Sequence, residues 1–258
     1  MRAFRFLALG AVAALLAASP VAAITFGRLD DNGHPNVGAM VILDSTGQRF
    51  PICSGTLISP TVFLTASHCT IYLSEIGLGD HDVYVSFDTV IDAGATLLRG
   101  TVHTNPLYDA NRKSDPHDVG VIVLDAPVAG VTPAHLATAG LLDGLDLKVQ
   151  RFVAVGYGQT RDAKTKGSSS LGDGGTRYAV EQGFRSVTQA WLNLSMNPST
   201  GSGGTCYGDS GGPHFLGSSD VVVAVTVTGD RYCRATDVDY RVDTAESRAF
   251  LSDFVALP

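Results

Sequence analysis

Hydrophobic positions along this chain gather in short runs or alternate with polar residues, and they follow a helical period almost nowhere. VGAMVIL, SGTLIS, TVFLTAS, VYVSF, ATLLRGTVH and VGVIVL fall in the first half, with RFVAVGYG, RYAVEQGF, SVTQAWLNL, GPHFLG, VVVAVTV and DYRV in the second. Each has the length and composition of a β-strand. Turn-rich stretches such as DDNGHPN, LDSTGQ and KTKGSSSLGDGGT separate them, and the last reads as an exposed loop. The period changes only at the end, where DTAESRAFLSDFVAL places Phe250, Leu251, Phe254, Val255 and Leu257 near one helical face. Asp243 and Glu246 there have the spacing of a capping box, which predicts a C-terminal helix over residues 243–258. Strands that do not alternate with helices argue against a parallel α/β sheet and for antiparallel barrels or a sandwich.

Composition supports a folded chain: of 258 residues, 45% are hydrophobic and 17% charged, enough for one large β domain or two small cores. Residues 1–23 stand apart. Arg2 and Arg5 precede the apolar run LALGAVAALLAA, and small residues end it at Ala23, the pattern of a secretory signal peptide cleaved before Ile24. The run is shorter than the roughly 20 apolar residues of a spanning helix. No later segment is apolar enough to span, so the expected product is soluble and secreted, with no membrane partner. The formal net charge of −7 becomes more negative once Arg2 and Arg5 are removed, which argues against nucleic acid as a partner.

Export makes disulfides the expected state of Cys53, Cys69, Cys206 and Cys233, which allow three pairings. Pairing within each half closes two short loops. No C-x-x-C occurs, and no histidine shows metal-ligand spacing, so neither a metal nor a cofactor is expected.

The stretch GGTCYGDSGGPHF, residues 203–215, satisfies G-x-S-x-G, the nucleophile elbow of α/β-hydrolases. That fold needs its histidine far downstream of the serine, and the only histidine after Ser210 is His214, four residues on. The opposite order, His then Asp then Ser, is available in TASHCT, HDVGVIVL and GDSGG. Thr65-Ala66-Ser67-His68-Cys69 matches T-A-[AS]-H-C, Gly208 to Pro213 matches G-D-S-G-G-P in full, and Asp118-Val119-Gly120-Val121 is similar to the looser D-I-A-L. With these motifs the chain resembles a trypsin-like serine peptidase of the chymotrypsin fold along essentially its whole exported length.

The resemblance implies two six-stranded antiparallel Greek-key barrels, residues 24–135 and 136–242, followed by the C-terminal helix, with the site in the cleft between them. It also implies a triad. A serine hydroxyl is a weak nucleophile until a base takes its proton, and His68 has that role toward Ser210. Asp118 holds the imidazole tautomer and stabilises the imidazolium; Asp115, three residues earlier, is a weaker candidate because it precedes Pro116 in a polar loop. The N–H groups of Gly208 and Ser210 are the expected oxyanion hole. Asp209 is expected to pair with the amine freed at Ile24, although ITFG departs from the family's I-V-G-G and no basic residue precedes it.

For the substrate pocket the family pattern assigns Gly204, Thr205 and Tyr207 on one side and Thr226, Val227, Thr228 and Asp237 on the other. The floor position, Gly204, carries no carboxylate, so the expected P1 residue is apolar or aromatic; Asp237 turned inward would restore a preference for basic side chains. The expected partner is a protein or peptide substrate, and the expected state is a monomer. A catalytically silent binding protein on the same fold and an esterase with the same triad are the alternatives.

Overall fold

The computed structural model describes residues 24–159 and 174–258. The expected signal peptide and most of the expected loop over residues 164–176 lie outside them. A two-residue strand, β1 (Arg28–Leu29), leads into β2 (Val37–Leu43), β3 (Arg49–Ser59), β4 (Val62–Thr65), β5 (Val83–Ser86), β6 (Leu98–His103) and β7 (Gly120–Leu124). Strands β2 to β7 close into an antiparallel barrel in the order β2-β3-β4-β7-β6-β5. Alternate residues on each strand point inward, which is how Val83 and Val85 come to share an interior with Met40, Leu57, Phe63 and Ile122.

The second half supplies β8 (His135–Leu136), β9 (Arg151–Gly156), β10 (Tyr178–Val187), β11 (Trp191–Ser195), β12 (Pro213–Leu216), β13 (Val221–Gly229) and β14 (Thr236–Arg241). Strands β9, β10, β11, β14, β13 and β12 form the second six-stranded barrel, closed by pairing of β9 with both β10 and β12. β1 and β8 are appended to β10 and β13. Phe152, Leu192, Leu194 and Val223 fill this interior. The all-β, twin-barrel architecture expected from the pattern and the motifs is therefore present.

The structure differs from the sequence reading in three places. SVTQAWLNL is not one strand: Thr188 N donates to Trp191 O and Thr188 Oγ1 accepts from Trp191 N, turning the chain from β10 into β11. An unpredicted helix, α1 (Ser67–Glu75), follows β4; its buried face is made of Ser67, Cys69, Thr70 and Leu73, too small and polar to give an apolar stripe. The C-terminal helix, α2 (Ala245–Leu251), is shorter than expected and is capped by Thr244, whose side chain accepts from Ser247 N. Asp243 is withdrawn from capping because its carboxylate pairs with Arg241 and accepts from Leu142 N.

The two barrels meet along a seam that is both apolar and hydrogen-bonded. Val37, Val41, Leu64 and Val119 of the first pack with Tyr157, Phe215, Val222 and Val225 of the second. Arg177 is fully buried here: its Nε donates to Asp30 at 2.8 Å and its Nη1 to the carbonyls of Val37 and Phe87, both at 2.9 Å. An arginine in such a place is tolerated because its charge is paired and its donors are met. Ser54 on β3 donates through Oγ to Gly208 O and accepts from Tyr157 N. Its own N–H donates to Ser210 O at 2.8 Å.

Candidate active site

His68 sits in the first turn of α1, where β4 delivers the chain to the seam. Asp118 lies two residues ahead of the start of β7, which pairs with β4. The carboxylate grips His68 twice: Oδ2 accepts from Nδ1 at 2.9 Å and Oδ1 from the backbone N–H at 2.8 Å. Asp118 is almost wholly buried while the imidazole is 28% exposed, so the carboxylate is sheltered and the imidazole reaches the surface of the seam. With Nδ1 donating to Asp118, Nε2 is left with its lone pair. Asp115 is engaged elsewhere, accepting from Tyr240 Oη at 2.5 Å. His117, between the two acids, has φ 55°, a left-handed backbone that turns Asp118 away from the loop.

The nucleophile loop comes from the second barrel, between Cys206 and β12. Ser54 N–H holds the Ser210 carbonyl, and the neighbouring Gly211 presses against the β4–α1 junction: a Cβ there would lie 2.1 Å from Thr65 Oγ1 and 2.8 Å from Ala66 N. Ser210 and His68 are thus brought to the same seam from opposite sides. Among the described residues no hydrogen bond joins Ser210 Oγ to His68 Nε2, which instead lies 3.6 Å from Cys69 Sγ. Catalytic contacts of this kind commonly close only when substrate is bound.

Backbone around the serine is shaped for close approach. Gly208 has φ 97°, and Cys206 O and Asp209 O are occupied by the N–H groups of Asp209 and Gly212. The N–H groups of Gly208 and Ser210 donate to no acceptor among the described residues. Asp209 is fully buried and accepts from Gly158 N at 2.7 Å and Cys206 N at 2.8 Å. Burial outweighs those two bonds and pushes its carboxyl up to about 7. Gly156 and Gly158 make room for it, since a Cβ on either would come within 2.2–2.5 Å of a carboxylate oxygen. Sequence reasoning passed over this pair, whose signal was the GYG ending RFVAVGYG.

Ile24 is also buried, packed with Ala154, Tyr178 and Val180. Thr25 next to it exchanges backbone hydrogen bonds with Gly204, which fastens this segment beneath the pocket. Ile24 has φ 51°, an outlier for a β-branched residue.

A cavity of about 130 Å³ opens beside Ser210, lined by Thr205, Tyr207, Thr226, Val227 and Thr228. Gly229 at the end of β13, Asp230 and Arg231 on the loop after it, and the Cys206–Cys233 disulfide complete it; Gly229, Asp230 and Arg231 carry no motif and were not assigned to the pocket from sequence. Gly204 and Asp237 do not line it. Gly204 backs onto Met196, where a Cβ would collide at 2.2 Å. Asp237 turns into the barrel interior and accepts from Thr205 Oγ1 at 2.6 Å.

The disulfides are Cys53–Cys69, beside His68, and Cys206–Cys233, across the cavity wall. Replacing Cys206 and Cys233 together by Ala is expected to lower unfolding free energy by about 3 kcal/mol. KM should rise severalfold and exceed the change in kcat; denaturant titration and steady-state kinetics check this.

The trypsin family model matches residues 30–248. The chain belongs to the trypsin family. Brachyurin of Leptuca pugilator is 33% identical over 195 residues, covering 70% of this chain and 76% of that protein. Serine protease 7 of Drosophila melanogaster is 33% identical over 100 residues, and this match spans only 25% of that protein's length. The solved structure of HL collagenase superposes with a TM-score of 0.67 at 16% identity, covering 89% of this chain and 98% of that one, a likeness of fold alone. As a trypsin-family chain it has a serine protease fold, and the hydrolase class follows from the family. Among the described residues no helix is long and apolar enough to cross a membrane.

Proposed function

We propose that this chain is an exported serine endopeptidase working through an acyl-enzyme, with P1 side chains that are apolar or aromatic. The observation that carries the reading is the double grip of Asp118 on His68, facing a loop that presents Ser210 from the other barrel. Ser210 Oγ attacks the scissile carbonyl carbon while His68 Nε2 takes its proton. The oxyanion is received by the unengaged N–H groups of Gly208 and Ser210. The C–N bond then breaks, His68 returns the proton to the leaving amine, and water repeats the sequence on the ester to release the acid.

Completion of the oxyanion hole is proposed to depend on cleavage before Ile24, whose amine then supplies the charge that Asp209 lacks. The strained φ of Ile24 supports this, because the cut removes the peptide bond that defines it. The P1 reading is supported by the small Thr- and Val-walled cavity, whose acidic lining residue, Asp230, has its carboxylate engaged by the backbone N–H groups of Tyr232, Arg234, Ala235 and Thr236. Protein or peptide chains are the proposed partners.

The test is the intact mass of the exported protein before and after a fluorophosphonate probe, with peptide mapping, then kcat/KM on matched peptide amides and an activated ester. A chain starting at Ile24, one adduct on Ser210, and amide hydrolysis at least tenfold faster with P1 Leu or Phe than with Arg are expected. An unlabelled protein that hydrolyses neither would sink the reading, and ester cleavage without amide cleavage would replace it by an esterase.

A further inference from the structure

Behind the cavity wall lies a buried polar cluster that the proposed chemistry does not use. Asp237 and Asp239 are two apart on β14 and so point to the same side, into the second barrel. His214 enters from β12, opposite Ala154 and Ala224, whose small side chains leave it room. All three residues have zero exposure. His214 Nε2 lies 3.4 Å from Asp237 Oδ2 and 3.4 Å from Asp239 Oδ1. Neither imidazole nitrogen and neither Asp239 oxygen has a hydrogen-bond partner of good geometry.

Two ionised carboxylates cannot share such a site without compensation, since an uncompensated buried charge costs several kcal/mol. Among the described residues, His214 is the only basic group within ion-pair range of either acid. The acids are not equivalent. Asp237 accepts from Thr205 Oγ1 and from Gln182 Nε2 at 2.7 Å, and although burial raises its pKa, His214, Thr205 and Gln182 bring it below the usual value. Asp239 has no such donors, and burial beside the Asp237 charge pushes it well above. With Asp237 ionised and Asp239 protonated, a single positive charge between them would leave the cluster neutral.

Thr205 connects this cluster to substrate. It lines the cavity with its outer surface and holds Asp237 with its hydroxyl, so Asp237 is a carboxylate one residue deep behind the P1 site. We propose that His214 is a specificity-determining residue: its imidazole, wedged between Asp237 and Asp239, is the internal partner that keeps the carboxylate beneath Thr205 from acting as an anionic floor for Lys or Arg. This rests on the peptidase reading above. It explains how a chain carrying an acid behind this pocket selects apolar P1 residues.

The experiment compares kcat/KM for peptides differing only in P1 (Arg, Lys, Leu, Phe) among wild type, His214→Gln, Asp237→Asn and the double variant, with active sites counted by fluorophosphonate labelling. His214→Gln should raise the Arg/Leu ratio about tenfold by unmasking one charge, and adding Asp237→Asn should return the ratio to the wild-type value. Asp237→Asn alone should move the ratio less than twofold, a prediction that stands even where His214→Gln does not fold. An unchanged ratio in labelled His214→Gln enzyme, or a fivefold fall in Asp237→Asn, would overturn the inference while leaving the peptidase reading intact. One equivalent of a divalent metal in the native enzyme, lost with His214→Gln, would overturn it too, by making the cluster a metal site. A wild type that neither labels nor cleaves fails at the earlier step.

Discussion

Replacing Ser210 by Ala is expected to lower kcat by about 10⁶-fold while leaving the fold intact. The loss is large because the hydroxyl is the only atom proposed to form a bond with substrate; His68 and Asp118 without it hold a proton acceptor with no nucleophile to serve. The fold should not notice. Ser210 is tied to Ser54 through its carbonyl, its Oγ has no hydrogen-bond partner among the described residues, and its neighbours Gly211 and Gly212 are fixed by backbone bonds to Thr226 and Asp209. Stability should therefore change by less than about 0.5 kcal/mol, the range of substitutions that touch no structural contact. Single-turnover hydrolysis beside a denaturant curve tests both halves. An activity loss of under a hundredfold would mean another nucleophile.

A chain that keeps even one residue ahead of Ile24 is expected to be about 10³-fold less active than one beginning there, and Asp209→Asn should match it, because each disables the oxyanion donors. Asp209 is the residue between Gly208 and Ser210, so its side chain sets the direction of both N–H groups. In the uncut chain that carboxyl is buried with two backbone donors and no cation among the described residues, and its pKa is pushed from 3.8 up to about 7. A raised carboxyl pKa favours the folded state while the folded form holds the extra proton. That contribution is complete below about pH 4 and disappears as pH rises toward 7, a change of about 4 kcal/mol. The uncut chain should thus lose stability between pH 4 and 7. The cut chain, with the amine opposite Asp209, should hold its activity through that window and lose it on the alkaline side, where the amine gives up its proton. Activity and melting profiles of the two forms, each with its N-terminus verified by mass, provide the check. Coincident profiles would refute the pairing.

Much of this was readable along the chain. Alternation at Val83, Val85 and their counterparts marks strands because side-chain direction is a local property. His68, Asp118 and Ser210 lie in motifs whose neighbours do recognisable work: Gly211 is small because Thr65 and Ala66 lie against it. What stayed hidden depends on register between distant strands. Arg177 begins RYAVEQGF, where nothing local marks it for burial, yet it is the largest fully buried side chain among the described residues, because Asp30 and two carbonyls from the other half meet it. Likewise His214, Asp237 and Asp239 become one cluster only once β12 and β14 flank β13 in the closed barrel. Helix α1 was missed because its packing against the first barrel uses Ser, Cys and Thr.

The seam also has a meaning in time. The ribosome delivers His68 and Asp118 long before Ser210, and the ties that set the serine loop against the first barrel, from Ser54 to Gly208, Tyr157 and Ser210, join an early segment to a late one. A half-made or half-folded chain therefore holds a base and an acid but nothing they can activate. On the proposed peptidase reading, proteolytic capacity emerges only when the last barrel docks, so the growing polypeptide carries no working blade.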